Sequence, residues 1–224
     1  MSEPSSISFE SLIQTQKGFF KSGHTRALEG RLAALARFEE VFTKNEERIL
    51  QSLEADLGKP SLEAFLSEYF FVLQELRLLR KSLKKWLRPR RVGSPFYFWP
   101  CRNEVRLEPH GTVLVIAPWN YPIQLSLAPV LAAVAAGNTV ILKPSEEAPA
   151  CATLLEELVK EAFDSAWVTV VQGEAEVTAS LLENRFDFLF FTGSTRVGKL
   201  VAEKAARQLT PTLLELGGKC PCVV

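Results

Sequence analysis

From Glu104 onward, short and almost wholly apolar runs alternate with amphipathic windows of helical length, and few architectures can bury such runs. The runs occupy residues 111–116, 139–143, 168–171 and 187–191, with a further one at 212–216; the windows occupy 123–136, 148–163, 174–182 and 195–208. A strand with no polar face needs cover on both sides, which a parallel sheet between two helical layers provides. The sequence therefore predicts an α/β fold with a Rossmann-like parallel sheet flanked by helices.

Ahead of this series lies a helical layer. Leu28, Leu32, Leu35, Phe38, Phe42, Ile49 and Leu53 fall at three-four spacing, predicting one long helix over 25–57 with Arg31, Glu39 and Glu46 on other faces. Gly58-Lys59-Pro60 stops it, because glycine suits a C-cap and proline opens a helix better than it continues one. A second helix is predicted to run to residue 87, with Leu62, Leu66, Tyr69, Leu73, Leu76, Leu83 and Trp86 inward. Residues 88–101 hold Pro89, Gly93, Pro95 and Pro100 and read as an extended connector. The organisation that follows is a helical layer and connector over 1–100, an α/β domain over 101–211, and a last apolar run within 212–224.

Charge excludes some partners. The 26 Lys and Arg balance the 26 Asp and Glu, so no global field draws nucleic acid or an anionic membrane. Lys84-Lys85-Trp86 and Phe96-Tyr97-Phe98-Trp99 therefore read as an arm packed on its own protein or a partner subunit. Met1-Ser2-Glu3-Pro4-Ser5-Ser6 has no leader character, and no stretch approaches the ~20 apolar residues of a membrane span. A soluble, cytoplasmic protein is expected. Cys101, Cys151, Cys220 and Cys222 lack metal-ligand spacing, so reduced thiols and no metal are expected.

Open α/β sheets bind ligands beyond the carboxyl ends of their strands, where unusual clusters gather in this chain. Pro118-Trp119-Asn120-Tyr121-Pro122 follows the first run, and a stiffly held Asn120 amide suits an oxyanion site or a helix N-cap. Lys143-Pro144-Ser145-Glu146 ends the second; Lys143 and Glu146 can grip vicinal hydroxyls while Ser145 caps the next helix. Thr192-Gly193-Ser194-Thr195 follows the fourth and can receive a phosphate on backbone N–H groups. Gly193 to Lys199 also matches the phosphate loop of nucleotide triphosphatases until Leu200, where a magnesium-binding hydroxyl belongs. Gly198 suits close packing of helix on strand. Glu215-Leu216-Gly217-Gly218-Lys219 sets a carboxylate before two glycines, a general-base arrangement in which flanking leucines raise proton affinity by desolvation. His24 and His110 have no catalytic partner in view.

Taken in order, these four clusters resemble the NAD(P)-dependent aldehyde dehydrogenases, and the stretch from Leu209 to Cys222 is most similar to the class 3 or fatty aldehyde branch. The resemblance implies oxidation of an aldehyde to a carboxylate through a cysteine thioester. It implies that Asn120 donates to the oxyanion and Glu215 activates the deacylating water. Lys143 and Glu146 then hold the adenine ribose and Ser194 the pyrophosphate, while Gly193, Trp119 and Gly217 shape the cofactor cleft. The resemblance further implies NAD as the cofactor, with NADP the alternative, a homodimer at full length, an NAD(P)-binding domain over 101–211 and the start of a catalytic domain over 212–224. The family's nucleophile lies in a G-Q-x-C segment that residues 1–224 do not contain, so this chain alone is expected to be inactive. Cys220 and Cys222, expected in a β-run, are not promoted in its place.

Overall fold

Runs of Val, Ile, Leu and Phe form the centre of the molecule because they have no other way to leave water. In the computed structural model, which describes residues 9–222, β3 (Thr112–Ile116) and β4 (Thr139–Lys143) are buried at every position. Each such aliphatic side chain contributes about 1.5–3 kcal/mol on burial. With β5 (Val168–Val170), β6 (Phe188–Gly193) and β7 (Thr212–Leu216) they form a parallel sheet in the order β5-β4-β3-β6-β7. The connections are α6 (Pro122–Ala136), α7 (Pro149–Ala162), α8 (Ala175–Leu182) and α9 (Thr195–Arg207). The predicted strands and helices of this series all form. The stretch Met1 to Ser6 lies outside the described residues.

The N-terminal layer departs from its predicted form in four ways. The helix predicted over 25–57 is two helices, α2 (Leu28–Lys44) and α3 (Glu46–Leu57), parted at Asn45, whose side-chain amide donates to the Val41 carbonyl at 2.9 Å. The next helix opens as α4 (Ser61–Ala64) and passes through a π-turn at Phe65–Tyr69 before α5 (Phe70–Trp86). That turn rotates the first residues against the rest, so Leu62 and Leu66 are exposed, whereas Tyr69, Leu73, Leu76 and Leu83 are buried as predicted; Trp86, the last residue of α5, is exposed against the prediction. Arg31, read as lying off the apolar face, is buried, because three backbone carbonyls receive its guanidinium. A helix with no sequence prediction, α1 (Phe9–Lys21), precedes them, although Phe9, Leu12 and Ile13 carry the spacing that reveals it.

One core joins α2, α3, α5, α6 and α7 to one face of the sheet, and a second joins α1, α8 and α9 to the other. The connector forms an antiparallel ribbon, β1 (Arg90–Val92) with β2 (Asn103–Val105), whose turn exposes Phe96, Tyr97, Phe98 and Trp99.

Candidate functional site

The chain leaves β3 toward β4 and reaches β6, on the other side of β3, only after β5. Strand order therefore reverses between β3 and β6, and a crevice opens beyond their carboxyl ends. A groove of about 930 Å³ lies there. Trp119 and Asn120 enter it from the end of β3, Gly193 and Ser194 from β6, and Glu215 and Gly217 from β7. Leu125, Ala128, Pro129 and Ala132 of α6 form its apolar wall. These wall residues had no sequence signal beyond a helical apolar pattern.

Lys143 and Glu146 are the two predicted site residues outside that lining. They stand one strand over, at the end of β4, so the site is a groove with a neighbouring pair rather than a single line of contacts. Lys143 Nζ lies 2.6 Å from Glu146 Oε2, with Lys143 buried and Glu146 partly exposed. Partial burial pushes the Glu146 carboxyl up, but hydrogen bonds from Lys143 and its own backbone N–H, together with the Lys143 charge, outweigh this and hold it below the usual carboxylate range.

Neither Asn120 nor Ser145 caps a helix. Tyr121 occupies the N-cap position of α6, whose Ile123 and Gln124 N–H groups donate to Glu68 Oε2 at 2.8 and 3.2 Å. The Ser145 hydroxyl accepts from the Glu147 N–H, and α7 begins at Pro149, with the Ala150 and Cys151 N–H groups donating to Asp56. Both caps thus come from the N-terminal layer, over sequence distances that local reading does not reach. Among the described residues the Asn120 side-chain amide makes no hydrogen bond with the protein, which leaves it free beside the groove.

Ser194 caps α9 by accepting the Val197 N–H at 3.3 Å, and this N-cap residue lines the groove. A Cβ on Gly198 would lie 2.5 Å from Leu216 Cδ2, so this glycine permits α9 to pack on β7. The triphosphatase alternative fails here. A single residue, Ser194, separates β6 from α9, leaving no loop to arch over a phosphate, and Lys199 sits exposed inside the helix.

Glu215 stands opposite Thr192 in the β6–β7 pairing. The apolar surroundings expected from its flanking leucines are only half present: Leu214 is half-buried against the second core, whereas Leu216 and Glu215 itself are exposed on this edge strand. Residues 217–222 form no strand, so the expected β-run around Cys220 and Cys222 is also corrected; both thiols are exposed and neither lines the groove. Cys151 is buried, and burial pushes its thiol up to about 12. His24 pairs with Ser22 at 2.6 Å and His110 lies against Phe188, both away from the groove.

A parallel sheet wound in both directions from β3, with a groove at the switch point, defines the doubly wound α/β class, whose members bind ligands at that place. The chain belongs to the aldehyde dehydrogenase family, whose profile matches residues 6–224. Its relatives include class 3 members. It is 40% identical over 96% of its length to the 4,4'-diaponeurosporen-aldehyde dehydrogenase of Staphylococcus aureus, covering 47% of that protein. It is 42% identical over 97% of its length to mouse aldehyde dehydrogenase family 3 member B1, covering 46% of it. The solved structure of Staphylococcus aureus AldH in a substrate-bound state superposes with a TM-score of 0.92, at 40% identity, over 94% of this chain and 46% of that one. The chain thus spans about half the length of the relatives it matches. Among the described residues no helix is long and apolar enough to cross a membrane.

Proposed function

We propose that this chain forms the cofactor-binding part and one side of the active site of a class 3-type, NAD(P)-dependent aldehyde dehydrogenase. The observation that carries the reading is the meeting of Asn120 and Glu215 in one groove with the N-terminus of α9. The residues suit a nicotinamide dinucleotide. Gly217 has no atom within 4 Å of where a Cβ would stand, which leaves room for a ligand against the backbone. Ser194 and the first turn of α9 offer donors to a pyrophosphate, and the Lys143–Glu146 pair offers a donor and an acceptor to ribose hydroxyls. Trp119 and Gly193 shape the cleft between.

When bound, the nicotinamide supplies the two-electron acceptor that aldehyde oxidation requires. Asn120 donates its amide N–H to the carbonyl oxygen, where charge develops as a nucleophile adds. Glu215 takes the proton from the water that releases the carboxylate. In this reading residues 1–100 are the supporting layer and connector, 101–211 the nucleotide-binding domain, and 212–224 the opening of the catalytic domain. The nucleophilic cysteine lies outside residues 1–224, so the chain alone binds cofactor without turnover. An aldehyde substrate, a cytoplasmic setting and a homodimer in the complete enzyme belong to the same proposal.

The test has two arms. NAD titrated into this chain is expected to bind saturably with no aldehyde oxidation. In the complete enzyme, Glu215→Gln is expected to slow acyl-enzyme hydrolysis and Asn120→Ala to lower kcat by about a hundredfold. Wild-type rates in both variants sink the reading.

A further inference from the structure

Lys59 and Glu68 are a polar pair that the roles above leave unused, and both lie against the back of the Asn120 loop. Glu68 is fully buried and Lys59 nearly so, with Lys59 Nζ 2.5 Å from Glu68 Oε1. The same ammonium donates to the Asn120 main-chain carbonyl at 2.9 Å and sits 3.9 Å over the centroid of the Tyr121 ring. The other Glu68 oxygen accepts the Ile123 and Gln124 N–H groups. Two side chains therefore fasten residues 120, 121, 123 and 124 from behind, leaving the Asn120 amide on the groove side.

The helix is built to make this contact. Glu68 lies within the π-turn Phe65–Tyr69, whose wider turn aims it at α6. A buried carboxylate costs stability unless paired and hydrogen-bonded, and its pairing with a cation that reaches the groove loop suits a role beyond packing.

We propose that Lys59 and Glu68 are positioning residues for Asn120, fixing the loop so that its amide meets the substrate oxygen; this rests on the oxyanion role proposed for Asn120. Lys59 sets the main-chain position of Asn120, and Glu68 anchors Lys59 while holding the first turn of α6. A displacement of about 1 Å in such a donor costs up to a hundredfold in rate. The pair acts on kcat and not on cofactor binding, because neither residue lines the groove.

The test is a double-mutant cycle in the complete enzyme that contains this chain. Lys59→Met with Glu68→Gln removes both charges together and keeps an acceptor oxygen facing α6, so no lone buried charge remains. Its kcat is expected to fall about tenfold, with KM for NAD within about twofold of wild type. In an Asn120→Ala background the same double change is expected to have no further effect on kcat, because the pair works through the missing amide. Glu68→Gln alone, which retains the cap, is expected to show the same dependence and decides the matter if the double variant folds poorly. A wild-type kcat in these variants, or losses that multiply with that of Asn120→Ala, overturns the positioning role and leaves the function of Asn120 standing. An Asn120→Ala enzyme with wild-type kcat overturns the oxyanion role first and the positioning role with it.

Discussion

Arg31 and Glu68, from different helices of the N-terminal layer, hold opposite ends of α6. The Glu68 carboxylate accepts N–H groups at the helix start, and the Arg31 guanidinium donates to the Ala135 carbonyl at its end, at 3.3 Å. The anion meets the positive end of the helix dipole and the cation the negative end. Since α6 follows the Asn120 loop directly and walls the groove, the layer sets the axial position of the site.

Arg31→Met is expected to destabilise the fold by about 3 kcal/mol, because the buried carbonyls of Thr25 and Ala135 and the part-buried carbonyl of Arg26 lose charged donors. Arg31 also packs against Gly137, where a Cβ would lie 2.6 Å from the guanidinium carbon. Urea unfolding measures the loss, and an unchanged midpoint at constant slope removes Arg31 from this role.

Glu146 supplies a pH signature. Its folded-state pKa is depressed, so the Lys143–Glu146 contact stabilises the fold above the ordinary carboxylate range and is lost as pH falls through the depressed folded value. Thermal unfolding of wild type and Glu146→Gln is expected to differ at neutral pH and to converge in acid. A difference that persists below the folded pKa contradicts the assignment.

Thiol reactivity separates the cysteines of this chain. Cys151, buried and with its thiol pushed up to about 12, is expected to resist iodoacetamide in the native protein at pH 8, while exposed Cys101 is alkylated. Peptide mass mapping before and after denaturation reads this directly. Native labelling of Cys151 at the rate of Cys101 refutes it.

The central sheet was legible because its strands have no polar face: Thr139–Lys143 can only be covered on both sides. That Asn120, Ser194 and Glu215 gather at one groove was legible for the same reason, since each lies at or close to the carboxyl end of such a run. The helical layer was less so. Asn45 breaks a helix whose apolar spacing continues past it, and the π-turn at Phe65–Tyr69 turns Leu62 and Leu66 outward despite their spacing. Asp56 and Glu68 were invisible as caps because their partners lie 94 and 55 residues away. Lys59 read only as part of a helix stop, and nothing local relates it to Asn120.

Cofactor choice should depend on Glu146. A carboxylate held below its ordinary range is charged at neutral pH, and beside a ribose it repels a 2′-phosphate. Glu146→Gln removes that repulsion and also releases the Lys143 ammonium from its ion pair, leaving a cation free to meet the phosphate. Both effects favour NADP, so the ratio of its dissociation constant to that of NAD is expected to fall about tenfold, equivalent to about 1.4 kcal/mol. On the ribose contact proposed for Lys143, Lys143→Met should weaken both cofactors, since it would remove a donor to the ribose they share. Titrations of NAD and NADP against the three proteins decide the matter, and a ratio unmoved by Glu146→Gln means that the ribose is held elsewhere.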